Sequence, residues 1–383
     1  MSDNDIAIIG IGETESVRRS DESVRSTTLR AVLAAIEDAG LSPKDIDGIV
    51  TDSVIMPTTV PHEWISGQLG IDRGFDGSIS YGGAGIVGAP LIARPALRAG
   101  DAKYVLCYFG VDWGSRPGGP YAFHDLYPAK LAFEKPYGFN GQPSYFAMWA
   151  QRYAHEFGLR REHLGSIAVS QRENSILTGR GQNMKPMDMA GYLDSPPVSD
   201  PLHYPDCCLI SDGAVAFVMT TADRANDAPK PAVYIRGIGF GTEGITGDDV
   251  FTQKPDLMTL PGVGLARERL RRDSGLDSTD ADFAEIYDCF TISCLMQMED
   301  LGFCGKGEGG DFALDGHAKL GGSMPVNTHG GLLSYSYRLG AEHVTEAVRQ
   351  IRGEAGAVQL TKADLGVVTG LSVPDYSILL LGR

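Results

Sequence analysis

Apolar residues along the chain fall first into short runs, then at three- and four-residue spacing, and the two patterns alternate. IAIIG (6–10) is an apolar run of strand length, and residues 23–39 follow with Leu29, Val32, Leu33 and Ile36 on one helical stripe. GLSP (40–43) stops that helix, and IDGIVTD (46–52) is the next strand. A third strand is predicted near 74–80, running into a Gly-rich turn and a helix over about 84–99, before the strand YVLCYFG (104–110). Alternation of this kind predicts an α/β protein with buried strands.

The pattern then breaks. Residues 113–205 are rich in Gly, Pro and aromatics, with helical stretches near 143–156 and 161–178 and few strand signals. A structureless loop of that length is implausible, so a partly helical insertion is predicted. Strand character returns at GAVAFVMTT (213–221), and PAVYIRGIGFGTE (231–243) opens a second alternating series that closes at YSILLLG (376–382). The two series resemble each other. EDAGLSPKDID (37–47) aligns with RDSGLDSTDAD (272–282), with Asp38/Asp273, Gly40/Gly275, Leu41/Leu276, Asp45/Asp280 and Asp47/Asp282 identical. Farther on, Tyr81-Gly82-Gly83 matches His329-Gly330-Gly331. A duplicated α/β unit with one inserted lid follows. Sites in such folds favour strand C-terminal ends and helix N-termini, where backbone N–H groups face the ligand.

Composition narrows the function. Of 383 residues, 43% are hydrophobic and 21% charged, a globular balance that excludes a disordered chain. The 49 glycines exceed the roughly 27 of an average chain, without the three-residue period of collagen. There is no run of 18 apolar residues, so no membrane span is expected. The opening MSDNDIAIIG lacks a basic n-region and a long apolar core, so no signal peptide is expected either. A net charge of −16 argues against a nucleic-acid partner, and any polyanionic ligand must meet a local basic pocket or a second protein. The six cysteines form no C-x-x-C pair; reduced, mostly buried thiols and a cytoplasmic location are expected, with no metal site.

Four places carry candidate chemistry. Tyr287-Asp288-Cys289-Phe290 ends a strand on the crevice side, where Asp288 is either functional or a helix cap. Asn327-Thr328-His329-Gly330-Gly331 opens a turn whose glycines allow close backbone approach, and whose following amides could hold an oxyanion. The turn Gly82-Gly83-Ala84-Gly85 is a natural nucleophile position, yet it has no Ser, Thr or Cys. Asp206-Cys207-Cys208 through Ala214 is expected to be structural, since vicinal cysteines suit neither a zinc finger nor a relaxed disulfide.

Together IAIIGIGETE, DCCLISDGA, YDCF, LGFCGKGEGGDF (301–312) and PVNTHGGLLS (325–334) resemble the thiolase superfamily, in its sterol-carrier-protein-x-type, lipid-transfer branch, over essentially the whole chain. The resemblance implies a thiolase fold: duplicated βαβαβαββ halves in a five-layered αβαβα arrangement with an inserted loop domain. The halves would be 1–112 with 206–230 and 231–383, and the loop domain 113–205.

The branch's catalytic groups are absent. The nucleophilic cysteine maps to Gly83 or its neighbour, the HDCF histidine to Tyr287, and the G-H-P histidine to Tyr337, because GGLLSYSYRLGAEH stands where the branch has GGLLSRGHPLGATG. The second catalytic cysteine has no counterpart in VVTGLSVPDYS (367–377). Their loss removes the covalent acyl-enzyme route. Two tyrosines in these positions resemble the thiolase-like retro-aldolases of steroid side-chain degradation. That resemblance implies cleavage of a β-hydroxyacyl-CoA, such as a steroid 17-hydroxy-C22-oyl-CoA, to a ketone and propionyl-CoA. It also implies a homodimer bound to an OB-fold, zinc-ribbon partner, with CoA thioester as substrate, no cofactor in this chain, and zinc only in the partner.

Retro-aldol chemistry needs a base for the β-hydroxyl proton, donors for the enolate and an acid for the carbanion. Tyr287 and Tyr337 are the candidate acid/base pair. His329, Asp288 and Gly83 are candidate supporting or oxyanion groups, and Gly330, Gly331 and Asn327 candidate substrate contacts. The aromatics Tyr121, Phe123, Tyr127, Phe133, Tyr137, Phe139, Tyr145, Phe146 and Trp149 could wall an apolar pocket, or be a packed lid or a partner face. A thiolase with relocated groups, or a non-catalytic acyl-CoA or lipid-binding subunit, remains the alternative.

Overall fold

The first apolar run becomes β1 (Ile6–Glu13), buried over almost its whole length, and the 3.6-residue pattern after it becomes α1 (Val24–Asp38), capped by the Ser23 hydroxyl. The structure is a computed structural model that describes residues 6–52, 60–79, 81–118, 128, 130–139, 141–244 and 256–383. The first half continues through β2 (Gly48–Asp52), α2 (His62–Leu69), β3 (Phe75–Ile79), α3 (Pro90–Ala99) and β4 (Tyr104–Asp112). Between β4 and β7 lie α4 (Gln142–Phe157), α5 (Arg161–Thr178), α6 (Met189–Leu193) and the small hairpin of β5 (Pro197–Ser199) and β6 (Leu202–His203). β7 (Asp212–Thr221) and α7 (Ala222–Ala225) complete the half. The second half runs β8 (Val233–Thr242), α8 (Val263–Ser274), β9 (Phe283–Glu285), α9 (Thr291–Asp300), α10 (Gly309–Leu314), α11 (Ala341–Arg352), β10 (Leu365–Ser372) and β11 (Asp375–Gly382).

The helix expected from about residue 84 begins only at Pro90. Residues 82–88 instead form two 3-10 turns, because glycines at 82, 83, 85 and 88 weaken helical propagation and Pro90 is suited to the first helical position.

The sheet order is β3-β2-β4-β7-β1-β8-β11-β10-β9. Read outward from the centre, β1-β7-β4-β2 is repeated by β8-β11-β10-β9 with the same senses, parallel between β2 and β4 as between β9 and β10, and antiparallel elsewhere. The counterpart of β3 is reduced to one parallel bridge, Ala284 to Val326. The repeat is physical as well as topological. Asp38 accepts from the Ile11 amide at 2.9 Å, and Asp273 from the Ile238 amide at 3.0 Å. Asp45 and Asp280 each cap the residue three before them at 2.7 Å. Asp47 receives the amides that begin β4, and Asp282 those that begin β10. The aligned aspartates are retained because each ties a helix or strand start that exists twice.

Layering follows. α1 packs on β1, β7 and β4, and α8 on β8 and β11, each covering an outer face. α11 touches strands of both halves and, with α3 on β2, β3, β4 and β7, fills the space between them. Two residue pairs, Ala7–Tyr234 and Ile8–Val233, join the halves into one nine-stranded array. Among the described residues no helix is long and apolar enough to cross a membrane. All six cysteines are free thiols, three of them buried and three half-buried.

Candidate active site

Tyr287 lies in the short connection from β9 to α9. Its N–H donates to the Thr369 hydroxyl on β10 at 3.1 Å, and its carbonyl accepts from the Gln297 amide on α9 at 2.7 Å. The Gln297 carbonyl oxygen in turn accepts from the hydroxyls of Thr369 at 2.7 Å and Tyr376 at 2.9 Å. Every one of these groups is buried, so the backbone of Tyr287 is held by a satisfied network rather than by a loop. Sequence reading missed Gln297, Thr369 and Tyr376: each sits in an apolar element, and only their convergence gives them a role.

Tyr337 arrives from the other half-turn, its N–H donating to the Ser211 hydroxyl at 2.9 Å and its ring lying 4.5 Å from that of Trp113. The DCCLISDGA stretch thus serves the site through Ser211, a residue the sequence did not single out. The two tyrosine hydroxyls meet at 2.8 Å, with their rings edge to face at 6.2 Å. Tyr287 is buried and Tyr337 half-buried. Burial, followed by the neighbouring Tyr337, pushes the Tyr287 hydroxyl well above the usual tyrosine range. Burial and then Cys208 and Cys289 do the same to Tyr337. Both are neutral phenols at pH 7.

The duplicated glycine turns converge on Tyr287-Asp288. A Cβ on Gly83 would overlap Tyr287 Cζ and Oη and the Leu371 carbonyl oxygen, and a Cβ on Gly331 would overlap Asp288 Oδ2. The glycines at 83 and 331 let these segments of the chain approach closely. Gly330, with φ 108°, faces Gln171 and Ser175 of α5.

The Asp288 carboxylate accepts from the amides of Leu332 at 2.8 Å and Leu333 at 3.3 Å. Those are the amides expected to be available for an oxyanion, and they open a single π-turn over Gly331–Tyr335 rather than a helix. Asn327 opens the second glycine turn. It is fully buried, accepting from Ile286 N–H at 2.6 Å and donating to Ile286 C=O at 2.9 Å, so it extends β9 with a side chain in place of an edge strand. His329 is fully buried in a turn whose backbone is left-handed at Asn327 (φ 51°) and Gly330 (φ 108°). Its ring meets Tyr335 and His343 edge-on and lies 3.0 Å from Glu285. Burial, with His343 beside it, lowers its pKa to about 3.

Cys289 and Cys208 lie beside the tyrosines. Burial pushes the Cys289 thiol up to about 12, and the thiol lies 3.5 Å from the Ser293 hydroxyl with no base beside it among the described residues, so it is not an activated nucleophile. Of the aromatics in 113–205, Tyr145, Phe146 and Trp149 are buried and Phe146 stacks on Phe290 at 4.3 Å, while Phe133 and Tyr137 are exposed. Tyr121, Phe123 and Tyr127 lie outside the described residues.

Comparison with known proteins agrees with this architecture. Residues 245–377 match the family of thiolase C-terminal domain-like sequences. The chain is 34% identical over 382 residues to a steroid side-chain-cleaving aldolase of Thermomonospora curvata, covering 98% of this chain and 97% of that one. It is 33% identical over 388 residues to the 17-hydroxy-3-oxo-4-pregnene-20-carboxyl-CoA lyase of Mycobacterium tuberculosis, covering 99% and 100%. Among solved structures, the Ltp2-ChsH2(DUF35) aldolase superposes with a TM-score of 0.91 at 34% identity, over 99% of this chain and 98% of that one. An acetyl-CoA acetyltransferase from Syntrophomonas wolfei shares the fold, with a TM-score of 0.72 at 18% identity over 99% of each chain. The chain therefore belongs to the thiolase superfamily, in the sterol-carrier-protein branch that includes the steroid side-chain-cleaving aldolases.

Proposed function

We propose that this chain is a carbon–carbon lyase that cleaves a β-hydroxyacyl-CoA by a retro-aldol reaction, with a steroid 17-hydroxy-C22-oyl-CoA as substrate and a 17-ketone and propionyl-CoA as products. The observation that carries the proposal is the 2.8 Å contact between the Tyr287 and Tyr337 hydroxyls, at the place where Gly83 offers no nucleophile. Two coupled neutral phenols suit proton transfer without a stored charge. An isolated tyrosine of pKa about 10 would be only about 0.1% ionised at pH 7, which costs roughly 4 kcal/mol for a pre-formed base. A relay avoids that cost. The substrate β-hydroxyl gives its proton to one tyrosine oxygen as that tyrosine passes its own to the other and the other releases its own toward the substrate α-carbon. The Cα–Cβ bond breaks, the hydroxyl-bearing carbon becomes the ketone, and the second tyrosine protonates the enolate carbon. Both phenols end as they began, and no water or cofactor is consumed.

The lyase and aldolase named above support this substrate class, and the two-component description of the solved aldolase supports a heterocomplex. For this chain the partner is an OB-fold, zinc-ribbon protein on a homodimer of thiolase-like subunits. With a net charge of −16, the chain would leave part of CoA phosphate recognition to that partner. The test is an assay of the chain with its partner on β-hydroxyacyl-CoA esters with and without a steroid ring system. Release of ketone and propionyl-CoA without free CoA supports the proposal. Thiolysis that requires free CoA, with an acyl group trapped on a cysteine, would sink it.

A further inference from the structure

Behind the tyrosine pair lies a closed group of polar side chains that the retro-aldol step does not use. Glu285 ends β9, His329 sits in the following glycine turn, and His343 comes from α11; all three are fully buried. His329 Nδ1 is 3.0 Å and His343 Nδ1 3.8 Å from the same carboxylate oxygen, Glu285 Oε2. One ligand atom from each residue lies within 4.8 Å of the others. Yet these atoms make no hydrogen bond: Glu285 Oε2 and all four ring nitrogens of the two histidines are buried without a hydrogen-bond partner. Three of these five orphaned atoms, Glu285 Oε2 and the two Nδ1 nitrogens, face one another, an arrangement that is costly unless something binds them.

We propose that Glu285, His329 and His343 form a divalent-metal site, with Zn²⁺ the ion its donors fit best. Two imidazoles and one carboxylate suit zinc, and ligand atoms around a tetrahedral ion with bonds of roughly 2.0–2.2 Å stand roughly 3.3–3.6 Å apart. The observed 3.0 and 3.8 Å bracket that spacing. The surroundings are arranged as outer-shell partners usually are. Thr328 gives its N–H at 3.2 Å and its hydroxyl at 2.6 Å to Glu285 Oε1, leaving Oε2 for the ion. His343 turns its Nε2 to Asp288 Oδ1 at 3.5 Å, which leaves Nδ1 for the ion.

Charge gives a second, independent argument. Arg338, Arg349 and Arg180 lie against Glu13 and Glu346, and Arg338 also faces Glu342. Glu285 and Asp288 have no guanidinium or ammonium group within 4.0 Å among the described residues; their ion-pair partners are the two histidines. Two buried carboxylates without a fixed cation match the charge of one divalent ion. Sequence spacing could not reveal the site, because its ligands come from a strand, a turn and a helix far apart in the chain.

The experiment is a metal count on the full chain, expressed without a second protein or a histidine tag and dialysed against a chelator. About one equivalent of zinc per chain is expected, as for a three-ligand protein site. Cobalt substituted for zinc should give the visible absorption of a low-coordinate ion. Glu285→Gln keeps the residue's shape and should lose both the metal and the cobalt signal. Should that variant fail to fold, His343→Gln provides the same reading, and the wild-type count needs no variant. A wild-type chain that holds only traces of divalent metal and takes up no zinc from solution overturns the proposal. So does full metal retention in the folded Glu285→Gln chain.

Discussion

The Tyr287 hydroxyl occupies the space that a side chain on Gly83 would need. A Cβ at Gly83 would overlap Tyr287 Oη and Cζ on one side and the Leu371 carbonyl oxygen on the other. A side chain at position 83 and the Tyr287 ring in its present place therefore exclude each other. Gly83→Ala should displace the Tyr287 ring, because the Leu371 backbone cannot yield, and break the contact with Tyr337. The expected result is loss of retro-aldol turnover by at least about 10²-fold, the scale of a displaced acid–base group. A near-wild-type rate in Gly83→Ala would show that Tyr287 can move without consequence. Gly83→Cys should likewise fail to yield thiolase activity while Tyr287 is present.

The relay makes a distinct statement about additivity. If each tyrosine acted alone, the costs of Tyr287→Phe and Tyr337→Phe would add in free energy. Because one proton path runs through both oxygens, either substitution interrupts it. Each single variant should lose about 10²–10⁴-fold in kcat, and the double variant little more than the worse single one. Measured melting temperatures near wild type would confirm that the fold is intact. A double variant at undiminished rate would place the chemistry elsewhere, and full additivity would replace the relay with two independent groups.

Asn327 tests the reassignment of the glycine turn. Its side chain satisfies both the N–H and the C=O of buried Ile286, at 2.6 and 2.9 Å. Asn327→Ala strips both partners from backbone groups that water cannot reach, and puts alanine at φ 51°. The expected cost is about 3 kcal/mol or more in a urea melt, most of it desolvation of the orphaned groups. A folded fraction of this variant should bind acyl-CoA with wild-type affinity. A large loss of affinity with unchanged stability would return Asn327 to the substrate.

Much of this was legible in the chain. The 37–47 and 272–282 segments align because the same aspartates cap the same starts twice, and such local hydrogen bonding leaves a mark on sequence. The tyrosine pair was legible only against the family's histidines; no spacing links residues 287 and 337. Asp288, Asn327 and His329 look like functional groups because they are polar and sit beside glycines, a signature that buried polar networks carry equally. Gln297 and Ser211 gave no signal, since their importance depends on which strand and turn lie opposite them.

Asp52, at the end of β2, has both carboxylate oxygens buried without a hydrogen-bond partner, against the backbone of Gly85 in the Gly82–Gly85 turn. Burial raises its pKa to about 8. The sign of the linkage follows. The folded chain keeps a proton that the unfolded chain releases near its ordinary carboxylate pKa. The stability tied to this group is thus full in acid and declines, by up to roughly 1.4 kcal/mol per pH unit, as pH rises toward the folded value. Above that value both states are ionised and the decline stops. Asp52→Asn removes the titration while keeping the shape. The variant should gain on wild type steadily between about pH 5 and pH 8 in urea melts, and the gap should level off beyond that range. Parallel stability curves for the two proteins over this range would mean that Asp52 is ionised in the folded chain.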